Sequence, residues 1–528
     1  MDEAPKFDPN LDFYKTQLDK KLSFNIWKDG GWGTYRHLHP NLDFYKTQLD
    51  KKLSFNIWKD GGWGTYRHLP LSEAPQIECE DAYINVSTKG DFSSLAWLEG
   101  NANTGDRLSP GTDIIHVYYA SLNFKDLMIA SGKIAIEVFI KDRIQQERIL
   151  GMEFAGRNSK GERVFGMCPA SALSTLVRSK FHLAVPDDWT MEDAATVITV
   201  YGTVYQSLLK DTKLTPGQSI LIHSGTGGVG QAAINLALHY GLTIFVTVGT
   251  QEKRDFIRKT YPQIREEHIG NSRDTSFEDM VYKYTEGRGV DFVLNSLAEE
   301  KLIASVRCLA KGGKFLEMGK FDLASNNLLA LQLLEKDAQF RGLALDQYLT
   351  DNDDVILNGY LALADLIKLN GYLALADLIK QAFRYLGSGS HIGKVLIKVR
   401  DEEDQKICAI PKTLFKAAPR FYCNPECSYV ICGGLGIKIL SEIFPSTGFG
   451  VELADLLVTR GAKKLVLTSR SGTCNGYHRF RLKIWQNYDV TVRTSSCDAS
   501  TEEGEEEEGR VPGAGDTMGR YRRCGIGS

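Results

Sequence analysis

A glycine-rich stretch between two apolar segments constrains the fold of this chain more than any other feature. Residues Ser219–Gln231 read SILIHSGTGGVGQ, so an apolar strand sequence runs directly into a glycine turn, and Ala232–Leu238 follows with apolar residues at helical spacing. This order is typical of a dinucleotide site, because a pyrophosphate can then approach bare backbone N–H groups at a helix N-terminus. A flexible loop is the alternative. The predicted phosphate-binding residues are Gly225 and Gly227, which clear the approach, Gly230, which lets helix pack on strand, and Gly228 and Val229 between them.

The next apolar segment indicates which dinucleotide would bind. Thr243–Gly249 reads as a strand whose end lies over the adenosine ribose, where an NAD enzyme places an acidic residue. Here the chain continues with Thr250 and the cations Lys253 and Arg254. Such groups suit a 2′-phosphate and favour NADPH. A solvated helix start is the alternative, since an acidic residue lies among them.

Composition excludes several classes of function. The 528 residues are 43% hydrophobic and 24% charged, with a formal net charge of −3, so we expect a multidomain globular protein that binds neither nucleic acid nor membrane. We found no apolar stretch long enough to span a bilayer and no leader sequence, which predicts a cytoplasmic protein. The ten cysteines have no zinc-motif spacing, and no metal site is predicted.

Two segments occur twice without change. Thirty residues from Pro9 to Leu38 recur from Pro40 to Leu69, and twelve from Leu357 to Lys368 recur from Leu369 to Lys380. Repeat arrays usually need three or more units and their copies diverge. We therefore interpret both as recent duplications or sequence-assembly errors.

Strand and helix patterns divide the rest of the chain. Short apolar runs between residues 82 and 178 predict a small β domain, and alternating strands and helices over about 190–340 predict a doubly wound parallel sheet. Strand character returns near Gly342–Leu345 and at Lys394–Val399, which predicts that the chain comes back to complete the first domain. A second nucleotide-like turn at Ser428–Gly436 is interrupted by Ile437–Thr447 before its helix. Beyond residue 499 the composition predicts a disordered tail.

Together with the glycine turn, the segments Asn295–Lys301 and Phe315–Asp322 give the chain a resemblance to a known family. Residues 79–399 resemble the enoyl reductase of animal fatty acid synthase, a zinc-free member of the medium-chain dehydrogenase/reductase superfamily. Tyr429–Cys497 is similar to the start of the ketoreductase of that synthase. Zinc members carry Gly-His-Glu where this chain has Gly151-Met152-Glu153, and a thioether does not replace the imidazole ligand.

The resemblance implies an α/β architecture. A GroES-like β domain is joined to a Rossmann doubly wound parallel sheet, and a partial second Rossmann-like segment follows. The predicted domains are a linker region with the duplicated unit (1–75), the GroES-like substrate domain (76–205 and 341–400), the NADPH-binding Rossmann domain (206–340), a linker (401–427), a truncated ketoreductase start (428–498) and an aberrant tail (499–528).

The reaction implied by the resemblance is NADPH-dependent reduction of a trans-2-enoyl thioester. Hydride goes to the β-carbon and a proton to the α-carbon, and the family's proton donors correspond to Lys320 and Asp346. Asn123 corresponds to a position at the nicotinamide end, whereas Asn295 and Ser296 are assigned to coenzyme contact from their place at a strand end. The alternative for Lys320 is a surface lysine, and the alternative for Asp346 and Asn123 is an ordinary turn residue. Asn295 and Ser296 could instead belong to the cap of a helix that begins at Leu297.

The same resemblance bears on partners and on activity. The expected substrate is an acyl chain carried as a thioester on acyl carrier protein or CoA, and a homodimer within a larger synthase is expected. The ketoreductase part is predicted to be inactive, because no Tyr-x-x-x-Lys follows residue 430. A quinone or enone reductase and a catalytically silent fragment are the alternative functions.

Overall fold

The chain forms two compact units, residues 1–74 and 75–528, which are described separately. The computed structural model describes residues 25–28, 31–34, 57–59, 62–64, 76–100, 112–134, 136, 146–210, 212–319, 335–343, 345, 372–376, 379–403, 410–431, 438–439, 445–446, 449–468 and 476–495.

The first unit contains one hairpin twice. Strands β1 (Asn25–Lys28) and β2 (Gly31–Thr34) pair antiparallel, and so do β3 (Ile57–Lys59) and β4 (Gly62–Gly64). Each pair is joined by the sequence Asp-Gly, which favours tight hairpins. The duplicated sequence therefore specifies its local structure in both copies.

The second unit contains the remaining elements. Its strands are β5 (Ile77–Cys79), β6 (Ala82–Val86), β7 (Leu95–Glu99), β8 (Asp113–Leu122), β9 (Glu153–Arg157), β10 (Arg163–Met167), β11 (Leu176–Ser179), β12 (His182–Ala184), β13 (Ser219–Ile222), β14 (Thr243–Val248), β15 (Ile269–Asn271), β16 (Val290–Asn295), β17 (Leu309–Glu317), β18 (Gln339–Gly342), β19 (Tyr372–Ala376), β20 (Lys394–Lys398), β21 (Phe415–Ala417), β22 (Ser428–Ile431), β23 (Lys438–Ile439), β24 (Pro445–Ser446), β25 (Lys464–Thr468) and β26 (Thr491–Ser495). Its α-helices are α1 (Phe124–Ala130), α2 (Met191–Ala195), α3 (Ile198–Val204), α4 (Gly228–His239), α5 (Gln251–Thr260), α6 (Phe277–Tyr284), α7 (Glu300–Arg307), α8 (Ile379–Ser388), α9 (Phe449–Thr459) and α10 (Gly476–Gln486).

A seven-stranded sheet forms the β-rich region. Its order is β12-β10-β9-β8-β20-β19, and β11 also pairs with β8. The long strand β8 is buried over most of its length, because β9 and β11 pair with its first half and β9 and β20 with its second. The chain therefore returns through β20 to complete this sheet, as the sequence pattern predicts.

A six-stranded parallel sheet has the order β15-β14-β13-β16-β17-β18. This is the strand order of a dinucleotide-binding fold, and ligands bind such sheets where the order reverses, beside the carboxyl end of the first strand. That strand is β13, and all four of its residues are buried. The strand near Gly342 is β18, which pairs with β17, so the predicted domain boundary at residues 340 and 341 falls inside a strand of the parallel sheet.

The doubled twelve-residue segment contributes to the β-rich region. Its second copy, Leu369–Lys380, supplies β19 and the first residues of α8. Strand β19 pairs parallel to β20 at the edge of the sheet. The first copy lies outside the described residues.

A three-stranded parallel sheet, β22-β25-β26, forms the last region. Helices α9 and α10 pack around a core that includes Trp485, whose indole N–H donates to Asp455 over 2.7 Å. The interrupting residues contain a short hairpin in which β23 pairs with β24. The glycines of this second turn lie outside the described residues.

Candidate coenzyme site

The glycine turn leads from β13 into α4 without an intervening segment. Ser224 has a φ of 56°, which turns the chain sharply after the strand. A Cβ on Gly225 would lie 2.0 Å from Val246 Cγ2, and one on Gly230 would lie 2.4 Å from the Ser224 carbonyl oxygen. Glycine is therefore required at both positions for the turn to pack against β14 and for α4 to pack against the turn.

Gly227 and Gly228 play different parts in the turn. Gly227 is the N-cap of α4, and a Cβ there would meet only the Ser224 carbonyl oxygen, at 3.3 Å. A Cβ on Gly228 would lie 2.8 Å from Val200 Cγ1 and 2.9 Å from Lys394 Cδ. Gly227 thus keeps the space over the helix N-terminus open, and Gly228 permits close packing beneath it. Val229 follows as a half-buried residue of the first helical turn.

A buried histidine supports the strand end below the turn. The ring nitrogens of His223 lie 2.8 Å from Thr247 Oγ1 and 2.8 Å from Ser305 Oγ. Burial lowers the pKa of His223 to about 3, so the ring is neutral and serves as a link between β13, β14 and α7. His223 is a structural residue of this site.

The two predicted coenzyme residues at the end of β16 differ in their surroundings. Asn295 is buried, and its amide donates to Glu317 over 2.7 Å and to the Leu297 carbonyl over 2.8 Å. Ser296 is exposed and its hydroxyl lies 2.9 Å from Ser224 Oγ, beside the glycine turn. The alternative of a helix cap at Ser296 is not observed, because α7 begins at Glu300.

The cations after β14 also differ in their contacts. Thr250 caps α5 by accepting from the Lys253 N–H. Arg254 donates to Glu266 over 2.7 Å and to the Ile269 carbonyl over 2.6 Å, so its guanidinium is already bound within the protein. Lys253 donates to the Gly389 carbonyl over 2.6 Å.

Arg273 is a cation at this edge that the sequence analysis missed. A Cβ on Gly249 would lie 2.8 Å from Arg273 Nε, so the guanidinium rests against the end of β14. Burial and the charge of Arg273 together lower the pKa of Lys253. Among the described residues Arg273 forms no salt bridge. Lys253 and Arg273 therefore place two positive charges at the predicted ribose position.

A buried ion pair joins two strands of the seven-stranded sheet next to the turn. Lys394 Nζ lies 2.7 Å from Glu153 Oε1, and the two side chains are 6% and 0% exposed. Glu153 Oε2 accepts from the Thr199 N–H over 3.0 Å. Because the Lys394 stem also packs against Gly228, this pair fixes β9, β20 and α3 against the glycine turn.

Asn123 belongs to the same network. Its Oδ1 accepts from Lys394 over 2.8 Å and its Nδ2 donates to Glu153 over 3.2 Å. The buried carboxylate of Asp126 accepts from the backbone N–H groups of Asn123 and Gly151, each over 2.8 Å. The amide predicted to contact coenzyme or substrate is thus hydrogen-bonded within the protein, and its predicted contact role stays a prediction.

Both predicted proton donors, Lys320 and Asp346, lie outside the described residues. The chain just before Lys320 is held in place, because Glu317 accepts from the Gly319 N–H over 2.5 Å and the Met318 N–H donates to the Asn295 carbonyl over 3.0 Å. Asn295 and Glu317 therefore position the segment that leads to Lys320.

Neither a metal site nor a membrane helix is found in the part of the chain that the structure describes. No group of three or more potential metal ligands occurs there, and no helix there is long and apolar enough to cross a bilayer.

The residues missed by the sequence analysis have modest sequence signals. Lys394 and Glu153 each open an otherwise apolar strand segment, IGKVLI and GMEFAG, where a charge needs a buried partner. Arg273 lies in a polar loop, and nothing in the local pattern places it beside Gly249.

Family models match three parts of the chain. A model described as zinc-binding dehydrogenase matches residues 228–353, a KR domain model matches residues 427–507, and a fatty acid synthase pseudo-KR domain model matches residues 1–40. The medium-chain reductase and ketoreductase-like segments predicted from the sequence are confirmed at this level.

Curated relatives include fungal polyketide synthases. A highly reducing polyketide synthase of Cryptosporiopsis sp. (strain 8999) is 32% identical over 426 residues, which cover 79% of this chain and 17% of that protein. A reducing polyketide synthase of Hypomyces subiculosus is 36% identical over 381 residues, covering 68% and 15%. The chain thus spans less than a fifth of these relatives. The comparisons therefore support similarity to fungal polyketide synthases, and they do not show the animal fatty acid synthase that the sequence resemblance suggested.

Solved structures share the fold of the reductase region. The CurK enoyl reductase aligns with a TM-score of 0.54 and 27% identity, covering 61% of this chain and 99% of that chain. The NADPH complex of Escherichia coli quinone oxidoreductase aligns with a TM-score of 0.51 and 22% identity, covering 60% and 99%. The predicted fold class is therefore confirmed: the chain has a medium-chain reductase fold of the enoyl reductase type, with a GroES-like domain and a Rossmann sheet, followed by a ketoreductase-like segment.

Proposed function

We propose that residues 76–400 are an NADPH-dependent enoyl reductase that reduces trans-2-enoyl thioesters. The observation that carries the proposal is the glycine turn at the switch point of the parallel sheet, open over Gly227 and flanked by Lys253 and Arg273. The 27% identity to the CurK enoyl reductase, over 99% of that chain, supports the proposal that the group reduced is an enoyl group.

The residues present fit a phosphorylated dinucleotide. The pyrophosphate would lie over Gly227, at the N-terminus of α4, where the missing Cβ leaves room and the helix dipole favours negative charge. The 2′-phosphate would be held by Lys253 and Arg273, because an ammonium and a guanidinium at one strand end match a dianion. We assign the recognition of this phosphate to Arg273 rather than Arg254, whose donors already serve Glu266 and Ile269.

The protein must supply a proton and stabilise negative charge. NADPH, when bound, supplies hydride to the substrate β-carbon. The chain then has to place donors near the thioester oxygen and an acid near the α-carbon. Lys320 and Asp346 remain the proposed acids, and the Asn295–Glu317 pair serves to hold the backbone that precedes Lys320.

The proposal extends to the context of the reaction. The named relatives are polyketide synthases, and the sequence resemblance was to a fatty acid synthase; reduction of an enoyl thioester is the reaction we assign in either setting. We propose that the acyl chain arrives on acyl carrier protein or CoA, and that the chain works in the cytoplasm as part of a homodimeric synthase.

Turnover of crotonyl-CoA tests the proposal. NADPH consumption is followed by the loss of nicotinamide absorbance in the wild type and in Gly227→Val, whose branched side chain fills the space over the turn. We expect crotonyl-CoA-dependent oxidation of NADPH by the wild type and its loss in the variant. Oxidation with a quinone but not with crotonyl-CoA would instead identify a quinone reductase.

A further inference from the structure

A short segment between α8 and β20 crosses the edge of the coenzyme site. We call Ser388–Gly393 the strap. At one end the Gly393 N–H donates to the Thr226 carbonyl over 2.8 Å, within the glycine turn. At the other end the Gly389 carbonyl accepts from Lys253 over 2.6 Å. The strap therefore runs from the predicted pyrophosphate position to the predicted 2′-phosphate position.

His391 lies in the middle of the strap among positive charges. Lys253 on α5 and Lys394 on β20 both act on it electrostatically, and the Tyr385 ring of α8 lies 6.4 Å from its own ring. Its Nδ1 is buried and has no hydrogen-bond partner among the described residues. A buried, unpaired ring nitrogen is unfavourable unless something supplies its partner.

A phosphate group satisfies each feature of this arrangement. It offers acceptors to an imidazole N–H and to the two remaining donors of the Lys253 ammonium. It also brings negative charge to Arg273, which forms no salt bridge among the described residues, whereas Lys394 is already paired with Glu153. Backbone groups of the strap cannot play this part, because the ends are already bonded to Thr226 and Lys253.

Resting on the proposed function, we propose that the strap is part of the coenzyme site and that His391 donates a hydrogen bond to a phosphate of the dinucleotide. The strap then links the β-rich region to the bound coenzyme, because it is hydrogen-bonded to the glycine turn and to α5 and continues into β20 of the seven-stranded sheet.

The proposal implies a pH dependence of coenzyme binding. Burial, Lys253 and Lys394 lower the pKa of His391 to about 4 in the protein alone. A phosphate in contact raises that pKa, so binding takes up a proton and affinity increases as pH falls toward the pKa of the bound state. Each unit by which the pKa rises strengthens binding by up to about tenfold at low pH.

Fluorescence titration with NADPH tests the proposal in the full chain at pH 8 and pH 5.5. His391→Phe keeps a planar ring but removes the donor, whereas His391→Gln keeps a donor that does not titrate. We expect His391→Phe to weaken NADPH binding by about tenfold or more, since one hydrogen bond to a charged group is lost. We expect His391→Gln to bind nearly as the wild type at pH 8 and to lack the extra affinity at pH 5.5. The exposed His239 of α4 provides the control His239→Gln, which should match the wild type throughout.

The choice of ligand identifies the phosphate and separates this proposal from the previous one. If His391→Phe weakens the binding of NADPH but not of NADH, the contact is assigned to the 2′-phosphate. If it weakens the binding of both equally, the contact is assigned to the pyrophosphate. The titration of the 2′-phosphate itself is common to all variants and cancels in the comparison. Wild-type binding by His391→Phe at both pH values overturns the proposal for the strap, whereas absence of NADPH binding by the wild type overturns the proposed function.

Discussion

The chain contains two strand–glycine–helix segments, and among the described residues only the first has a neighbouring strand on each side of the strand that precedes its glycines. In the first, β13 lies between β14 and β16, and the turn passes directly into α4. In the second, β22 pairs with β25 alone among the described strands, and the hairpin of β23 and β24 lies between the turn and α9. A phosphate site of this kind needs more than glycines. The strand end, the helix N-terminus and a strand on each side must come together.

The second segment has a hydrophobic core of its own. Trp485 is buried and hydrogen-bonded to Asp455, which also forms an ion pair with Arg481. Two helices therefore pack on three strands in a region whose glycine turn is interrupted in the sequence. In the first region, folding and coenzyme binding can be tested separately by substitution.

The largest predicted effect is a loss of stability on breaking the buried ion pair of the first region, Lys394–Glu153. Lys394→Met keeps the stem that packs on Gly228 but leaves Glu153 buried without its partner, which costs about 3–5 kcal/mol of unfolding free energy. Adding Glu153→Gln to that variant should recover a large part of the loss. Urea denaturation measures both.

The control for this prediction lies on the same strand. Lys398 pairs with Asp401, which is 90% exposed, so Lys398→Met should change stability by less than about 1 kcal/mol. Equal losses in Lys394→Met and Lys398→Met would contradict the role given to the buried pair.

A second pair of substitutions separates folding from binding within the glycine turn. Gly230→Ala places a Cβ 2.4 Å from the Ser224 carbonyl oxygen and should cost about 1–3 kcal/mol of stability. Gly227→Ala meets that oxygen at 3.3 Å only, so the protein should unfold at nearly the wild-type temperature but bind NADPH more weakly. Thermal unfolding with and without NADPH distinguishes the two, and equal thermal stability of both variants without coenzyme would refute this division of roles.

The smallest predicted effect concerns coenzyme preference. Arg273→Gln should weaken NADPH binding about tenfold, the loss of one charged contact, and leave NADH binding unchanged. Arg254→Gln is the matched control, because its guanidinium is bound to Glu266. A larger effect on NADPH affinity in Arg254→Gln would restore the assignment made from the sequence.

The sequence predicted the elements that depend on local pattern. The apolar run of β13 and the glycines after it specify strand, turn and helix within a dozen residues, and the parallel sheet follows from the alternation of strands and helices. The contacts at the site required the tertiary structure. Arg273 approaches Gly249 from a loop, and Lys394 meets Glu153 across 241 residues of sequence, so no spacing rule reveals either.

For some residues, the role expected from the position in the sequence differs from the contacts in the structure. Gly225 was expected to clear the path of the pyrophosphate, but its missing Cβ makes room for Val246 of the neighbouring strand. Position along the chain indicated which residues lie near the turn. It did not indicate which side of the turn each residue faces, because that depends on the packing of β14 and α4.

The direct test of the account is the number of NADPH molecules bound per chain, measured by isothermal titration calorimetry. We predict one site in the wild type, none in Gly227→Val, and still one after deletion of residues 437–447, because β22 has a single neighbouring strand among the described residues and the deletion adds none. Binding of NADPH by Gly227→Val with wild-type affinity, or two sites in the wild type, would contradict the claim that the first glycine turn alone forms the coenzyme site.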